Sequence, residues 1–237
     1  MPSSQHYHIS KIMDIIIALK PFSVLDIGSG FGKYGVLCRE YLELWDGRQE
    51  YKFLRRIDGV EVFQDYITPL HKFIYNNIYT ENILDLVKKL DYTYDLVLLI
   101  DVLEHFSKDE GVWLLNNLLS KNKGILIGTP KRPSAQKDAF GNVFETHKSM
   151  WKKKELISFG KFFFIADNIS YIIYITREEQ LLNNLKKRMK ELKMSRQESL
   201  VPSLTSKKIS IIKSLKKKLS SIPLIVKVYR KFKKKSS

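Results

Sequence analysis

Cysteine is nearly absent: the chain of 237 residues holds one, Cys38, which excludes a disulfide framework and a cysteine-rich zinc site. Cys38 lies in an apolar helical pattern, where a small buried side chain is the expected role. No metal-ligand set is read from the sequence. Long hydrophobic runs are missing too. No stretch approaches the about 18 apolar residues of a spanning helix. The opening MPSSQHYH has neither the basic n-region nor the apolar run of a secretory signal. A cytoplasmic protein is expected. Acidic side chains are scarce in one region only. From Arg177 to Ser237 there are 19 Lys and Arg against 4 Glu, whereas the residues before it hold 22 basic and 21 acidic side chains. The chain reads as a near-neutral body, 1–177, with a basic tail, 178–237. Any inference from charge to partner concerns the tail.

Within the body, apolar runs and helical patterns alternate. Ile9, Ile12, Met13 and Ile16 share one helical face, and Pro21 ends that helix. SVLDIG is a short apolar run ending in glycines, read as a buried strand. A helix from about Lys33 carries Leu37, Tyr41, Leu44 and Trp45 on one face. RRIDGVEVF contains a strand ending near Glu61, followed by a helical stretch over 65–77, and a third strand is expected to end at Asn82. YDLVLLIDV reads as a central parallel strand. Ser107 and Glu110 form a capping box for a helix with Val112, Leu115 and Leu119 inward. KGILIGTP is a further strand. Residues 131–150 show no periodicity, and a compact domain usually keeps such a length only for function. Two β-rich runs, KFFFIADN and SYIIYIT, close the body as an antiparallel pair. The alternation implies an open α/β sheet with helices on both faces, whose ligands bind at the carboxyl ends of the strands.

The stretch SVLDIGSGFGKYG matches three glycine motifs. A P-loop fails because Ile27 stands where its first glycine belongs and Tyr34 replaces the Ser or Thr that holds magnesium. A dinucleotide fingerprint needs its first glycine directly after the strand. That glycine is Gly28, and counted from it the third falls on Lys33. Asp26 at the strand end would repel a pyrophosphate and suits a ligand bearing an ammonium and a sulfonium, as S-adenosylmethionine does. Glu61 can accept two bonds from ribose hydroxyls, although nicotinamide sites use the same device. Asn82 and Ile83 can flank an adenine, and Asp101 opens DVLEHF toward the methyl group.

Asp26–Gly32, Glu61, Asn82 and Asp101–His105, in that order, resemble a class I S-adenosylmethionine-dependent methyltransferase over residues 6–176. The resemblance implies a Rossmann-like, seven-stranded, mostly parallel sheet with one antiparallel strand. It implies that Asp26, Gly28, Ser29, Gly30 and Gly32 form the cofactor loop, with Gly28 and Gly30 admitting the cofactor to the backbone. Glu61 would hold the ribose, Asn82 would sit by the adenine amino group with Ile83, and Asp101 would complete the cofactor site. Many members carry Asp where this chain has Asn82, whose carbonyl can still accept the adenine N6 hydrogen bond. GNVFETHKSMW resembles a loop of a bacterial subgroup. Gly35 then reads as a helix-packing glycine.

Methyl transfer is an in-line displacement, and alignment alone can supply ~7–11 kcal/mol. A base, worth ~10²–10⁴-fold, is needed only for a protonated acceptor of high pKa. Its candidates are His147, Glu145 and His105; His147 can equally anchor the loop, and His105 can equally cap the next helix or orient Asp101. The absence of a Pro-Pro-aromatic element after DVLEHF argues against amino methylation of bases, and Cys38 is misplaced for a C5-cytosine nucleophile. In the tail, Leu181, Leu185, Met189 and Leu192, then Ile212, Leu215, Leu219 and Ile222, form apolar stripes among lysines. Basic helices with an apolar face suit an anionic membrane surface; packing on the body is the alternative. The expected function is methylation of a small molecule or a glycan or lipid-linked intermediate of cell-surface assembly, peripheral to the inner membrane face. An RNA methyltransferase using the tail for phosphates ranks second, and a non-catalytic S-adenosylmethionine-binding module third.

Overall fold

The structure, a computed structural model, describes residues 4, 6–44, 52–137 and 141–196. In chain order the elements are α1 (Ile9–Leu19), β1 (Ser23–Ile27), α2 (Lys33–Leu42), β2 (Arg56–Val60), α3 (Pro69–Ile74), β3 (Ile78–Tyr79) and α4 (Ile83–Lys89). They continue with β4 (Leu96–Ile100), α5 (Lys108–Lys121), β5 (Ile125–Pro130), α6 (Lys153–Ile157), β6 (Lys161–Ile165) and β7 (Ser170–Thr176). The described strands form one seven-stranded sheet in the order β3-β2-β1-β4-β5-β7-β6. β7 alone of these runs against its neighbours β5 and β6. This is the expected mostly parallel sheet with a closing antiparallel pair.

β1 and β4 are central and buried along their whole length, because both faces are covered. Leu25, Ile27, Val97, Leu99, Ile125 and Ile127 point to one side, into a core shared with Leu86 of α4 and Leu114, Leu115 and Leu118 of α5. The alternate residues Val24, Leu98 and Leu126 are equally buried on the other side, where α1 lies. Ile12 Cδ1 stands 3.7 Å from the place a Cβ on Gly128 would take. A strand buried on both faces reads as a continuous apolar run rather than an alternation.

Several local expectations are corrected. The stretch over 65–77 is broken into a 3-10 turn, Gln64–Tyr66, and α3, because Pro69 fits only the first turn of a helix. On α2 the inward face is Tyr34, Gly35, Cys38 and Arg39, while Tyr41 is exposed; Trp45 lies outside the described residues. Buried Arg39 draws that face in. It donates to Ile74 O and Arg55 O at 2.8 Å each and to Glu43 Oε1 at 3.1 Å. On α5 the capping box forms as expected, but Val112 faces out. The third strand stops at Tyr79, and Asn82 instead caps α4.

Asp26 does not face the cavity at the strand ends. It is buried beneath the glycine loop, where Tyr75 Oη donates to its Oδ2 at 2.6 Å. Gly35 makes this possible, since a Cβ there would lie 2.5 Å from Tyr75 Cζ. The sequence-level role of Gly35 in packing is thus explained, and the partner is an aromatic ring. Burial pushes the Asp26 carboxyl up to about 7, partly offset by the Tyr75 bond.

The chain divides into two compact units, 1–189 and 190–237, and of the second only 190–196, helical throughout, is described. In the first unit the helical residues from 179 bury Leu182, Leu185 and Met189. Arg188 Nη1 donates to Ala18 O at 2.9 Å at the end of α1. Leu185 and Met189 of the apolar stripe expected near the start of the tail are therefore buried within the first unit. The second stripe, Ile212 to Ile222, lies outside the described residues.

Two stability predictions follow from these contacts. Leu185→Ala should cost roughly 2–5 kcal/mol, as a core truncation does, read as a lower urea midpoint; a detachable tail would leave the midpoint unchanged. For Asp26, an unfolded carboxyl ionises near 3.8 and the buried one near 7. Between these values the folded chain holds a proton the unfolded chain has lost, so stability falls as pH rises through that window, by on the order of a few kcal/mol. Asp26→Asn removes this loss. Its melting temperature relative to the parent should therefore rise from pH 5 to pH 8, and a pH-independent difference would contradict the buried neutral acid.

Candidate active site

A cavity of about 440 Å³ opens at the carboxyl ends of β1, β2 and β4, inside the ~300–1,000 Å³ range of small-molecule sites. It lies where the strand order reverses, between β1 and β4. The glycine loop after β1 forms one wall. Gly28 has a φ of +70°, and a Cβ there would fall 2.5 Å from Val102 Cγ2. The loop is tied to β2, because Gly28 N and Ser29 N both donate to Val60 O, at 2.9 and 3.0 Å.

Gly30 is held from both sides of its backbone. Its N–H donates to Glu61 Oε2 at 2.9 Å, and its carbonyl accepts from His71 Nε2 at 2.8 Å. Thr68 N–H donates to His71 Nδ1 at 3.1 Å, which places the ring proton on Nε2, toward Gly30. Phe63 N–H donates to Glu61 Oε1 at 3.0 Å. Each carboxylate oxygen keeps a further lone pair, so Glu61 both positions the loop and can accept from a ligand's hydroxyls. Burial raises its pKa, and the bonds from Phe63 and Gly30 work against that rise. Asn82 Oδ1 accepts from Leu84 N–H at 2.9 Å, and with Ile83 it lines the cavity opposite the loop. Ser29 Oγ, also on the wall, is buried with no hydrogen-bond partner among the described residues.

Asp101 ends β4 with a φ of +53°, a strained conformation that Asp tolerates better than most residues. Its Oδ2 lies 3.7 Å from Nε2 of the fully buried His8. The chain's first described residue, Ser4, also reaches the cavity. Its carbonyl and hydroxyl accept from Lys33 Nζ at 2.6 and 3.0 Å, so the lysine that breaks the dinucleotide register pins the N-terminal segment at the site.

The far end of the cavity is polar and dense with titratable groups. Described residues of the 131–150 segment line it, anchored by Lys148 N and Ser149 N donating to Glu104 O at 2.8 and 3.1 Å. Buried Trp151 donates through Nε1 to Leu103 O at 3.3 Å. These ties bring His147 against His105, ring centroids 4.9 Å apart. His105 does not cap α5, since Ser107 does; its Nδ1 donates to Thr146 O at 3.3 Å. Burial lowers the His105 pKa. Glu145 lines the same end, pushed to about 7 by burial and then by Glu61.

The structure thus gathers Gly28, Ser29, Gly30, Glu61, Asn82, Ile83 and Asp101 with His105, Glu145 and His147 around one cavity. Asp26 and Gly32 are left behind the loop. Gly32 instead sits at the N-cap of α2 with a φ of +88°. Sequence reasoning missed Glu104, which is buried and accepts from Thr129 Oγ1 at 2.9 Å. Burial, followed by Asp101, raises its pKa to about 8. The signal was its place inside DVLEHF, where an acid flanked by apolar residues must find a buried partner. It also missed His71 and Tyr75, which support the loop from a helix remote in sequence.

No family model and no curated protein sequence matches the chain. Solved structures do. The N-terminal domain of EvdMO1 with SAH bound aligns at a TM-score of 0.54 and 13% identity, over 74% of this chain and 83% of that one. An S-adenosylmethionine-dependent methyltransferase from Archaeoglobus fulgidus aligns at 0.50 and 21%, over 70% and 91%. An O-methyltransferase family protein from Burkholderia thailandensis aligns at 0.50 and 13%, over 72% of this chain but only 56% of its own length. With the strand order, the reversed β7 and the glycine loop on β1, these matches establish that the chain has the fold of the class I S-adenosylmethionine-dependent methyltransferases.

Proposed function

We propose that this chain is an S-adenosylmethionine-dependent methyltransferase acting on a hydroxyl of a small molecule or of a glycan or lipid-linked intermediate. The observation that carries the reading is a single cavity lined both by the Gly30 loop, Glu61 and Asn82 and by His105, Glu145 and His147. The cofactor fits the residues present. Glu61 would take the ribose hydroxyls, Ile83 and Asn82 the adenine, and the loop with the unpartnered Ser29 hydroxyl the amino-acid portion. When bound, S-adenosylmethionine supplies an electrophilic methyl group. The chain's own part is to align an acceptor, to exclude water beneath the 131–150 segment, and to place an imidazole or carboxylate beside the acceptor's proton. The neighbouring EvdMO1 domain was solved in the presence of SAH and D-fucose, which supports a sugar hydroxyl as acceptor here.

The basic residues after Arg177 favour an anionic partner. We assign that partner to an anionic membrane surface, with RNA as the second reading. No described helix is long and apolar enough to cross a membrane.

Calorimetry with S-adenosylmethionine should give one site per chain. Glu61→Ala should weaken it about ten- to a hundredfold, the loss of one or two hydrogen bonds to a charged group. Absence of binding to the parent protein would overturn the reading. Full-length protein should float with anionic vesicles and stay behind with neutral ones; tight RNA binding without flotation would reverse the order of partners.

A further inference from the structure

Glu104, His105 and His147 each offer one ligand atom, and these atoms lie within 4.8 Å of one another. We propose that they bind a divalent transition-metal cation at the acceptor end of the cavity. Two imidazoles and one carboxylate are a donor set that suits Zn²⁺, Mn²⁺, Co²⁺ or Fe²⁺ rather than Mg²⁺ or Ca²⁺, which prefer oxygen alone.

The surroundings of the two imidazoles support the assignment independently of their proximity. His147 Nδ1 donates to Ser134 O at 2.6 Å, and His105 Nδ1 donates to Thr146 O at 3.3 Å. A carbonyl can only accept, so in the neutral rings both Nδ1 atoms carry the proton and both Nε2 atoms keep a lone pair. A carbonyl on one ring nitrogen is the arrangement that orients histidine ligands in metal sites. Glu104 is buried, with one hydrogen bond to its Oε2 from Thr129. Backbone hydrogen bonds hold the frame. The Lys148 and Ser149 amides bind the Glu104 carbonyl, and His147 N–H donates to Gln136 O at 3.1 Å. Histidines from two chain segments are thereby held with their ring centroids 4.9 Å apart beside a buried acid.

The three residues line the cavity that also holds the glycine loop. A cation there would coordinate an acceptor hydroxyl and lower its pKa. The O–H proton would pass to the carboxylate of Glu145 in the same cavity, and the acceptor oxygen would bond to the methyl carbon as the carbon–sulfur bond of the cofactor breaks. This role rests on the methyltransferase reading; the binding of the ion does not.

The test is titration of chelator-treated, full-length protein with Co²⁺, followed by visible absorption, and with Mn²⁺, followed by electron paramagnetic resonance. One equivalent should bind. His105→Ala and His147→Ala should each weaken binding at least tenfold, and Glu104→Gln should do the same while keeping the carboxyl's volume and an acceptor for Thr129. His6→Ala, an exposed histidine outside the cavity, should leave it unchanged. Far-ultraviolet circular dichroism and the urea midpoint, measured in parallel, identify variants that remain folded. Stoichiometric binding lost in folded His105 and His147 variants supports the site even if S-adenosylmethionine does not bind the parent, an outcome that would sink the functional reading alone. No stoichiometric binding to the parent, or binding untouched in both folded histidine variants, overturns the site and leaves the functional reading standing.

Discussion

The site depends on the backbone of one residue, Gly30, held between two buried side chains. Glu61 from the end of β2 takes its N–H, and His71 from α3 fills its carbonyl. A loop of positive-φ glycines has little conformational preference of its own, so its shape has to be imposed from outside. Here three elements impose it: the Val60 carbonyl, the Glu61 carboxylate and the His71 imidazole. Tyr75, one turn beyond His71, reaches under the same loop to Asp26. The short helix α3, which carries no cavity-lining residue of its own, thereby decides where the backbone of the loop lies.

The other end of the cavity is organised by Glu104. Its carbonyl receives two amides from the 131–150 segment, and its side chain is fixed by Thr129 on β5. One residue thus links the end of β4, the neighbouring strand and the long aperiodic segment. Among its described residues, backbone groups of that segment find such partners rather than a sheet ladder, with a 3-10 turn at Val143–Glu145. The carboxyls of the cavity are electrostatically coupled as well: burial raises the Glu104 and Glu145 pKa values, and Asp101 and Glu61 respectively add to the rise.

Sequence and structure agree best where one residue type has one physical use. Gly28 at the end of a buried strand, Glu61 at the end of the next and the Ser107–Glu110 box are all local, and each lies where its pattern placed it. The expectation for Asp26 failed for a different reason. A carboxylate at a strand end can point into the cleft or under the loop, and the choice was made by Tyr75, 49 residues away, with Gly35 leaving room for the ring. The inward turn of Arg39 is a similar case, in which a tertiary network overrode the hydrophobic reading of a helix face.

By itself the sequence determined the α/β alternation, the reversal at the last strand, the glycine loop and the acids that follow it, since these depend on periodicity and on conformations that only glycine adopts readily. Tertiary structure alone decided which side chains meet. It brought His147 to His105, set Glu104 beside them, buried Leu185 and Met189 in the first unit, and turned Asp26 under the glycine loop to Tyr75. The reason is physical: local pattern constrains backbone conformation, whereas the partner of a buried polar group is whatever the packing of distant segments brings within hydrogen-bond reach.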